Sequence, residues 1–210
     1  MDVICNLLFD LGNVIIDIDI DGAKSRIEAL LDPSYPGKEV EKELLFHIEK
    51  FEIGAISTDV FLEVMLKYAR PGVSIAEVIE AWNSMIVGIP VYRLTMLERL
   101  RENYNVLLLS NTNALHLEWV HNYFKNDLGE SQFDQKYFDD TYYSHLIRLR
   151  KPDTACFEHV IEESYITPQR TLFIDDFEIN IKTAQKMGFQ THHSPANEEI
   201  AEVLKVKGLY

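Results

Sequence analysis

The sequence is poor in cysteine and in basic residues, and it has no long apolar stretch. Lysine and arginine number 20 against 34 aspartate and glutamate residues, which gives a formal net charge of −14 over 210 residues. Binding to a nucleic-acid backbone depends on clustered basic side chains, so this balance argues against a nucleic-acid partner. A small phosphate ligand is still compatible with it, because a bound cation offsets local negative charge.

The few cysteines and the short apolar runs exclude other classes. Cys5 and Cys156 lie inside apolar runs without metal-ligand spacing, so we expect buried free thiols in a reducing compartment. The sequence contains no run near the roughly 18 apolar residues that a membrane helix needs, and we expect no membrane partner. The apolar run Val3–Phe9 has no basic leader and is too short for a signal peptide, so the expected location is cytoplasmic.

Nearly continuous apolar runs indicate buried strands. The three clearest are Val3–Phe9, Val106–Leu109 and Thr171–Ile174, and two weaker ones are Phe138–Tyr143 and Phe189–His192. Runs without alternation are typical of parallel strands that are covered on both faces.

Helical patterns separate these runs. Val91–Arg101, Thr154–Glu163 and Asn180–Met187 have apolar residues at helical spacing. Strands that alternate with helices predict an α/β fold with a Rossmann-like, doubly wound parallel sheet. Two other segments lie outside this pattern: Val14–Asp19 alternates weakly and suggests a short hairpin, and the polar stretch Lys125–Lys136 is predicted to be a loop.

Residues 20–87 interrupt the alternation. Four segments there have helical apolar spacing, and no buried strand is predicted between them: Lys24–Leu31, Val40–Phe51, Thr58–Arg70 and Ile75–Met85. We therefore predict an inserted α-helical cap domain, residues 20–87, which covers the ligand edge of a core domain formed by residues 1–19 and 88–210.

Polar residues follow each of the three clear strands. They are Asp10, then Ser110 and Asn111, then Asp175 and Asp176, joined by Lys151 at the predicted start of a helix. Ligands in open α/β sheets bind outside the carboxyl ends of the strands, so we expect these side chains at one edge. Each alone is explained by a turn, a helix cap or a solvated lysine. Together they suit a phosphoryl group beside a divalent cation.

Four short segments carry a further signal: Phe9–Val14, Leu109–Thr112, Arg150–Asp153 and Phe173–Asp176. In this order they resemble the motifs of the haloacid dehalogenase (HAD) superfamily, and the helical insert is similar to the cap of its phosphatase branch. In detail the sequence resembles bacterial glucose-1-phosphate phosphatases. The resemblance implies a Mg²⁺-dependent hydrolase that acts on a small phosphorylated metabolite, a sugar phosphate being one candidate.

The resemblance also implies roles for the acidic residues. Asp10 attacks phosphorus and forms an aspartyl-phosphate, which divides one difficult hydrolysis into two steps. Mg²⁺ is held by the Asp10 carboxylate, by the backbone carbonyl of Gly12 and by Asp176, with Asp175 as a further ligand or as support. Hard oxygen ligands of this kind are what Mg²⁺ prefers.

Further roles follow for the other polar residues. Ser110 and Asn111 donate hydrogen bonds to the phosphoryl oxygens, and Lys151 links the phosphate to the carboxylates. The cap segment that includes Glu52, Ile53 and Gly54 resembles the family's specificity loop, although a plain helix connection explains it equally well. The expected assembly is a monomer or a homodimer.

One position departs from the family pattern. Most phosphatases of this superfamily have a second aspartate two residues after the nucleophile, as general acid and base, and here Gly12 stands there. General acid–base help contributes about 10²–10⁴-fold. Either the leaving group is a good one, such as an anomeric hydroxyl, or Asp17, Asp19 or Glu52 substitutes, or activity is residual. We favour the first two, because the glucose-1-phosphate phosphatases share this glycine.

Other functions remain as alternatives. A catalytically weak or non-catalytic HAD-fold binding protein would also explain Gly12, and an interaction module would use the acidic surface. A 2-haloacid dehalogenase has an aspartate nucleophile but needs no metal, so the pair Asp175 and Asp176 counts against it. A phosphoglucomutase needs the second aspartate that Gly12 replaces.

Overall fold

The computed structural model describes residues 2–210, and its centre is a parallel β-sheet. The strands are β1 (Asn6–Phe9), β2 (Asp17–Ile18), β3 (Ile86–Gly88), β4 (Asn105–Ser110), β5 (Asp140–Tyr143), β6 (Thr171–Asp175) and β7 (Gln190–His193). Five of them form the parallel sheet in the order β5-β4-β1-β6-β7. All five runs that the sequence analysis selected therefore contribute a strand to it.

The chain also forms helices, on both faces of the sheet and in a separate segment. They are α1 (Ile20–Leu30), α2 (Gly37–Glu52), α3 (Thr58–Lys67), α4 (Ile75–Asn83), α5 (Val91–Leu100), α6 (Ala114–Asp127), α7 (Phe133–Tyr137), α8 (Ser144–Ile147), α9 (Thr154–Glu163), α10 (Glu178–Lys186) and α11 (Ile200–Val206). Over residues 2–210, none of the helices has the length and apolar character needed to cross a membrane.

Both faces of the sheet are buried, which explains why its strands read as continuous apolar runs. On one face Leu7 and Phe9 of β1 pack with apolar residues of α5, α6, α7 and α11. On the other face Leu8 packs with Phe173 of β6 and with residues of α9 and α10, Phe157 among them. Helices on both faces of a parallel sheet confirm the predicted Rossmann-like α/β class.

Residues 20–83, from α1 to α4, form a helical segment with its own apolar cluster. The Phe61 ring stacks on Phe51 at 4.4 Å between centroids and lies 4.8 Å from Trp82. Leu115 of α6 belongs to the same cluster, so the segment rests on the core. The division into a cap domain (20–87) and a core domain (1–19 and 88–210) stays a prediction.

The hairpin predicted within Val14–Asp19 is wrong. Asp17 and Ile18 form β2, which pairs with β3 in antiparallel fashion, so the chain leaves for the helical segment and returns from it on adjacent strands. The guanidinium of Arg93 is buried next to β2. It lies 2.8 Å from the Asp17 carboxylate and 3.0 Å from the Glu199 carboxylate. The alternation in the sequence reflected a true strand, but its partner is 71 positions away along the chain (Asp17 opposite Gly88).

The loop predicted for Lys125–Lys136 is confirmed only for residues 128–132, and both of its ends are helical. Helix α6 extends to Asp127, and α7 starts at Phe133. The rings of Phe133 and Tyr137, four residues apart on α7, pack against Phe124 at 4.2 and 5.8 Å. Two aromatic anchors thus order a stretch whose other residues are mostly polar.

The two cysteines are free. Cys156 of α9 is buried as expected, but Cys5 is only half-buried, because it precedes β1 at the edge of the core. The prediction of burial is therefore correct for Cys156 and wrong for Cys5.

Replacing Phe124 by alanine tests the packing of α6 on α7. The side chain is fully buried, so Phe124→Ala should lower the free energy of unfolding by about 3–5 kcal/mol. Phe46→Ala removes a half-exposed ring on α2 and should cost less than about 0.5 kcal/mol. Urea unfolding followed by circular dichroism measures both, and equal losses would show that α7 is not held by Phe124.

Candidate active site

The sequence-predicted acidic residues meet at the carboxyl end of the sheet. Asp10 directly follows β1, the central strand, and its backbone N–H donates to the carbonyl of Ile174 at 2.8 Å. Asp175 ends β6, the neighbour of β1, and Asp176 follows it. Parallel pairing in register therefore places these carboxylates together, as predicted.

Lys151 is the positive centre of this cluster. Its side chain is only 1% exposed, and its ammonium donates to Asp10 Oδ1 at 2.7 Å and to Asp175 Oδ2 at 2.6 Å. It is therefore not a solvated surface lysine. It lies in the loop three residues before α9, rather than at the start of the helix.

Asn111 fixes the backbone of Lys151. Its side-chain amide donates to the Lys151 carbonyl at 2.9 Å, and its amide oxygen accepts from the Lys151 N–H at 2.9 Å. The loop after β4 therefore fixes the position of the Lys151 backbone relative to the sheet. Asn111 also lines the cavity, but Ser110, buried at the end of β4, does not.

The cluster is short of positive charge. Burial raises the pKa of Asp10 to about 7, since the attraction of Lys151 only partly offsets the loss of solvation. Burial also raises the pKa of Asp176. The pKa of Lys151 rises despite its burial, because Asp10 and Asp175 together stabilise the ammonium. One ammonium against three carboxylates favours the arrival of a further cation.

Asp175 and Asp176 have different surroundings. The oxygens of Asp175 accept from the Phe177 N–H at 2.8 Å, from the Asn180 amide at 2.9 and 3.1 Å, and from Lys151. Asn180 therefore holds the Asp175 carboxylate at the start of α10. Asp176 accepts from Asn13 at 2.9 Å through Oδ2, whereas its Oδ1 is buried without a partner.

These residues fit a hard divalent cation. One carboxylate oxygen from each of Asp10, Asp175 and Asp176 lies within 4.8 Å of the others. The unpartnered Asp176 oxygen needs a hydrogen-bond donor or a cation, because a buried polar atom without a partner is costly. Asp10, Gly12 and Asp176 line a cavity, whereas Asp175 stands behind them. An all-oxygen set with space for water suits Mg²⁺.

The cavity above the cluster has a volume of about 1040 Å³. Its floor contains Asp10, Lys151 and Asp176, and its walls come largely from α1 and α2 of the helical segment. Glu52, at the end of α2, lines it as the sequence analysis anticipated. Ile53 and Gly54 do not. Gly54 instead adopts a φ of +61°, and a side chain there would collide with the carbonyl of His145.

Of the three acids considered as substitutes for the missing aspartate, only Glu52 faces the cavity. Asp17 pairs with Arg93, and Asp19 caps α1 by accepting from the Gly22 N–H at 2.8 Å. The Glu52 carboxylate lies 3.1 Å from Arg150, and burial raises its pKa.

A hydroxyl also joins the backbone of Glu52 to the core. Ser144 Oγ lies 2.6 Å from the Glu52 carbonyl and 2.9 Å from the Thr112 carbonyl, and it accepts from the Thr112 N–H.

Several residues that shape the site were not predicted from the sequence. Asn13 orients Asp176 from a left-handed conformation with a φ of 56°, a backbone region in which asparagine is enriched. Its position in the turn after β1 was a usable signal. Arg150 and Phe177 also line the cavity, but only the fold brings them there, and no sequence signal distinguished them.

Comparison with known proteins identifies the class of this chain. The profile of the haloacid dehalogenase-like hydrolases matches residues 6–188. The chain therefore belongs to this family, which confirms the predicted superfamily and hydrolase class.

The relatives include named phosphatases. The chain is 29% identical over 192 residues to a D-ribitol-5-phosphate phosphatase of Bacteroides thetaiotaomicron, covering 90% of this chain and 91% of that protein. It is 27% identical over 146 residues to a sesquiterpene phosphatase of Aspergillus oryzae, with coverage of 69% and 70%.

A solved structure shares the whole architecture. A HAD family enzyme of Bacteroides thetaiotaomicron matches with a TM-score of 0.85 and 35% identity, over 97% of this chain and 99% of that one. Its complex with magnesium and inorganic phosphate matches with a TM-score of 0.80 and 34% identity, over 95% and 98%.

Thermal unfolding tests the cation site without using activity. At Mg²⁺ about 100-fold above its Kd, binding to the folded state should add about 2.7 kcal/mol, which raises Tm by roughly 5–10 °C. Asp10→Asn removes one of the crowded carboxylates, so in EDTA it should melt above the wild type and show little response to Mg²⁺.

Asp127→Asn, an exposed residue at the end of α6, is the matched control and should respond as the wild type does. An equal Mg²⁺ shift in Asp10→Asn would contradict this assignment of the site.

Proposed function

We propose that this protein is a Mg²⁺-dependent phosphohydrolase that cleaves a phosphate monoester through an aspartyl-phosphate on Asp10. The observation that carries this proposal is the Asp10 carboxylate held by the buried Lys151 ammonium, beside Asp176, at the floor of the cavity. The phosphatase names of the relatives and the magnesium–phosphate complex of a structural neighbour support it.

Attack begins at Asp10. Its Oδ1 accepts from Lys151, so Oδ2 is the oxygen proposed to attack phosphorus in line. The bond from Asp10 to phosphorus forms while the bond from phosphorus to the alcohol oxygen breaks. That oxygen leaves with the electron pair and takes up a proton.

The other polar residues hold the reacting groups. Asp10, the carbonyl of Gly12 and Asp176 would hold Mg²⁺, which when bound lets an anionic nucleophile approach an anionic phosphoryl group. Both carboxylate oxygens of Asp175 already accept hydrogen bonds, and in this proposal Asp175 positions Lys151. In this proposal Asn111, which lines the cavity, donates the second hydrogen of its side-chain amide to a phosphoryl oxygen. The role of Ser110, which does not line the cavity, stays a prediction from the sequence.

Glu52 is proposed to replace the acid that Gly12 lacks. Burial keeps its carboxyl protonated to a higher pH than usual, and it lines the cavity. It would give its proton to the leaving oxygen and then take one from the water that attacks the aspartyl-phosphate. Phosphorus–oxygen cleavage then releases phosphate and restores Asp10.

The competing function is binding without turnover, which Gly12 favours. A dehalogenase that needs no metal explains the site less well, because the carboxylates that suit a divalent cation would then have no function. An L-2-haloacid dehalogenase matches at 16% identity and a TM-score of 0.60, a likeness in fold alone. Cytoplasmic location, the cap domain and a monomeric or dimeric state stay predictions from the sequence.

Hydrolysis of p-nitrophenyl phosphate with Mg²⁺ tests the role of Asp10. Asp10→Asn should lower kcat by roughly 10⁴-fold or more, as removal of a covalent nucleophile does in other enzymes, whereas Asp127→Asn should keep full activity. A beryllofluoride adduct on Asp10 of the wild type, together with good phosphatase rates, would exclude a binding protein without turnover. Full turnover by Asp10→Asn would refute the covalent step, and metal binding without wild-type turnover would favour the competing function.

Esters whose leaving groups differ in their need for a proton test the role of Glu52 as general acid. Glu52→Gln should lower kcat/KM for ethyl phosphate by about 10²–10⁴-fold, but change that for p-nitrophenyl phosphate far less, because nitrophenolate departs without a proton. Glu49→Gln is the matched control, since Glu49 lies one turn away and 3.9 Å from Arg150 but outside the cavity lining. Equal losses on the two esters would exclude Glu52 as the acid.

A further inference from the structure

The cavity has a charged floor and apolar walls. Asp10, Lys151 and Asp176 lie at the floor, where the phosphoryl group is proposed to react. The walls above are built from aliphatic and aromatic side chains that α1, α2 and the segment after β6 contribute. They include Ile20, Ile27, Leu44, Leu45, Ile48 and Phe177. The two ends therefore suit ligand groups of opposite polarity.

Most polar groups along the walls already have partners. Asn113 accepts from the Trp82 indole at 3.3 Å, and His116 bonds to Asn113 at 3.1 Å and to the Trp82 carbonyl at 3.1 Å. Burial lowers the pKa of His116 to about 4, so the ring is neutral. A polyhydroxylated ligand would lose its hydrogen bonds to water against the apolar part of these walls without replacing them.

Three charged residues of α1 and α2 also line the cavity, and they contact one another. Lys24 lies 3.9 Å from Glu28 and 4.0 Å from Glu41, and all three side chains are about 60% exposed at the rim. The lining atoms that are buried without partners are Asp176 Oδ1 and Arg150 Nε. Both belong to residues adjacent in sequence to the Asp175–Lys151 pair, so they serve the phosphate end.

Apolar side chains are also unusually exposed around this cavity. Leu45 is 54% exposed, Phe177 49% and Ile179 56%, and Ile20 and Tyr35 are exposed as well. All five line the cavity, although they come from separate parts of the chain. Exposed apolar residues that converge on one concavity mark a site for an apolar ligand.

The volume agrees with a large ligand. Pockets for drug-sized molecules measure about 300–1,000 Å³, and this cavity of about 1040 Å³ lies at or above the top of that range. A phosphorylated sugar would occupy only the floor and leave the apolar walls against water.

We infer that the alcohol part of the substrate is an extended hydrocarbon, an alkyl chain or ring system, whose phosphate reaches Asp10 while its carbon skeleton lies between α1 and α2. This inference rests on the proposed function and names the substrate class for it. It differs from the sugar phosphate that the sequence resemblance suggested as a candidate.

A series of n-alkyl phosphates from ethyl to dodecyl, each below its critical micelle concentration and with Mg²⁺, tests the inference. The value of kcat/KM should rise about three- to fourfold per methylene while the chain remains in the cavity. A pentitol phosphate should be hydrolysed no better than ethyl phosphate. If kcat/KM does not change with chain length, or if it is as high for a pentitol phosphate as for decyl phosphate, the inference is overturned. The proposed function would remain intact.

Two neighbouring residues of α2 provide a matched pair of variants. Leu45 and Phe46 are each 54% exposed, but only Leu45 lines the cavity. Leu45→Asn should lower the ratio of kcat/KM for decyl over ethyl phosphate about five- to tenfold, and Phe46→Asn should leave that ratio unchanged. Equal effects of the two variants would count against a chain lying along α2.

If no ester is hydrolysed, binding measurements distinguish the proposed function from the inference about the substrate. Turnover of none of these esters would defeat the proposed function, and calorimetric titration with alkylphosphonates would then decide the inference. An affinity that increases with chain length in the wild type and less in Leu45→Asn supports an apolar site. An affinity independent of chain length overturns it.

Discussion

The site depends on one buried ammonium shared by two carboxylates. Lys151 contacts Asp10 and Asp175 with almost no exposure to water, where an unpaired charge would be strongly destabilising. Each partner comes from a different strand end, and the Asn111 amide holds the lysine backbone between them. The parallel register of β1 and β6 is therefore what makes the arrangement possible, and a shift of one residue would turn the carboxylates into opposite faces of the sheet.

The two aspartates after β6 show how adjacent identical residues acquire different tasks. Asp175 is enclosed by donors and orders the start of α10 through Asn180 and the Phe177 N–H. Asp176 faces the cavity with one oxygen unpartnered. Strand alternation produces this difference, because successive side chains leave the strand end in different directions. A sequence shows the pair, but only the hydrogen bonds show which member is free for a ligand.

Sequence reasoning succeeded where the signal was local. Strands covered on both faces read as apolar runs, so the residues that end them, Asp10 and Asp175 among them, could be placed at one edge in advance. It failed where the partner was distant: β2 pairs with β3 across the helical segment, and α7 is held by Phe124. The burial of Lys151 and the apolar character of the cavity walls were also out of reach, because both arise only when separate elements are brought together.

Ser144 gives the contact between α2 and the core an unusual property. A hydroxyl carries one hydrogen, yet two carbonyls, those of Glu52 and Thr112, lie within reach of this one. If α2 moves away, the hydrogen can rotate to Thr112, and no donor is left without an acceptor. Separation at this point would then leave the hydroxyl hydrogen paired, so the loss would fall on the Glu52 carbonyl and on the ion pair between Glu52 and Arg150.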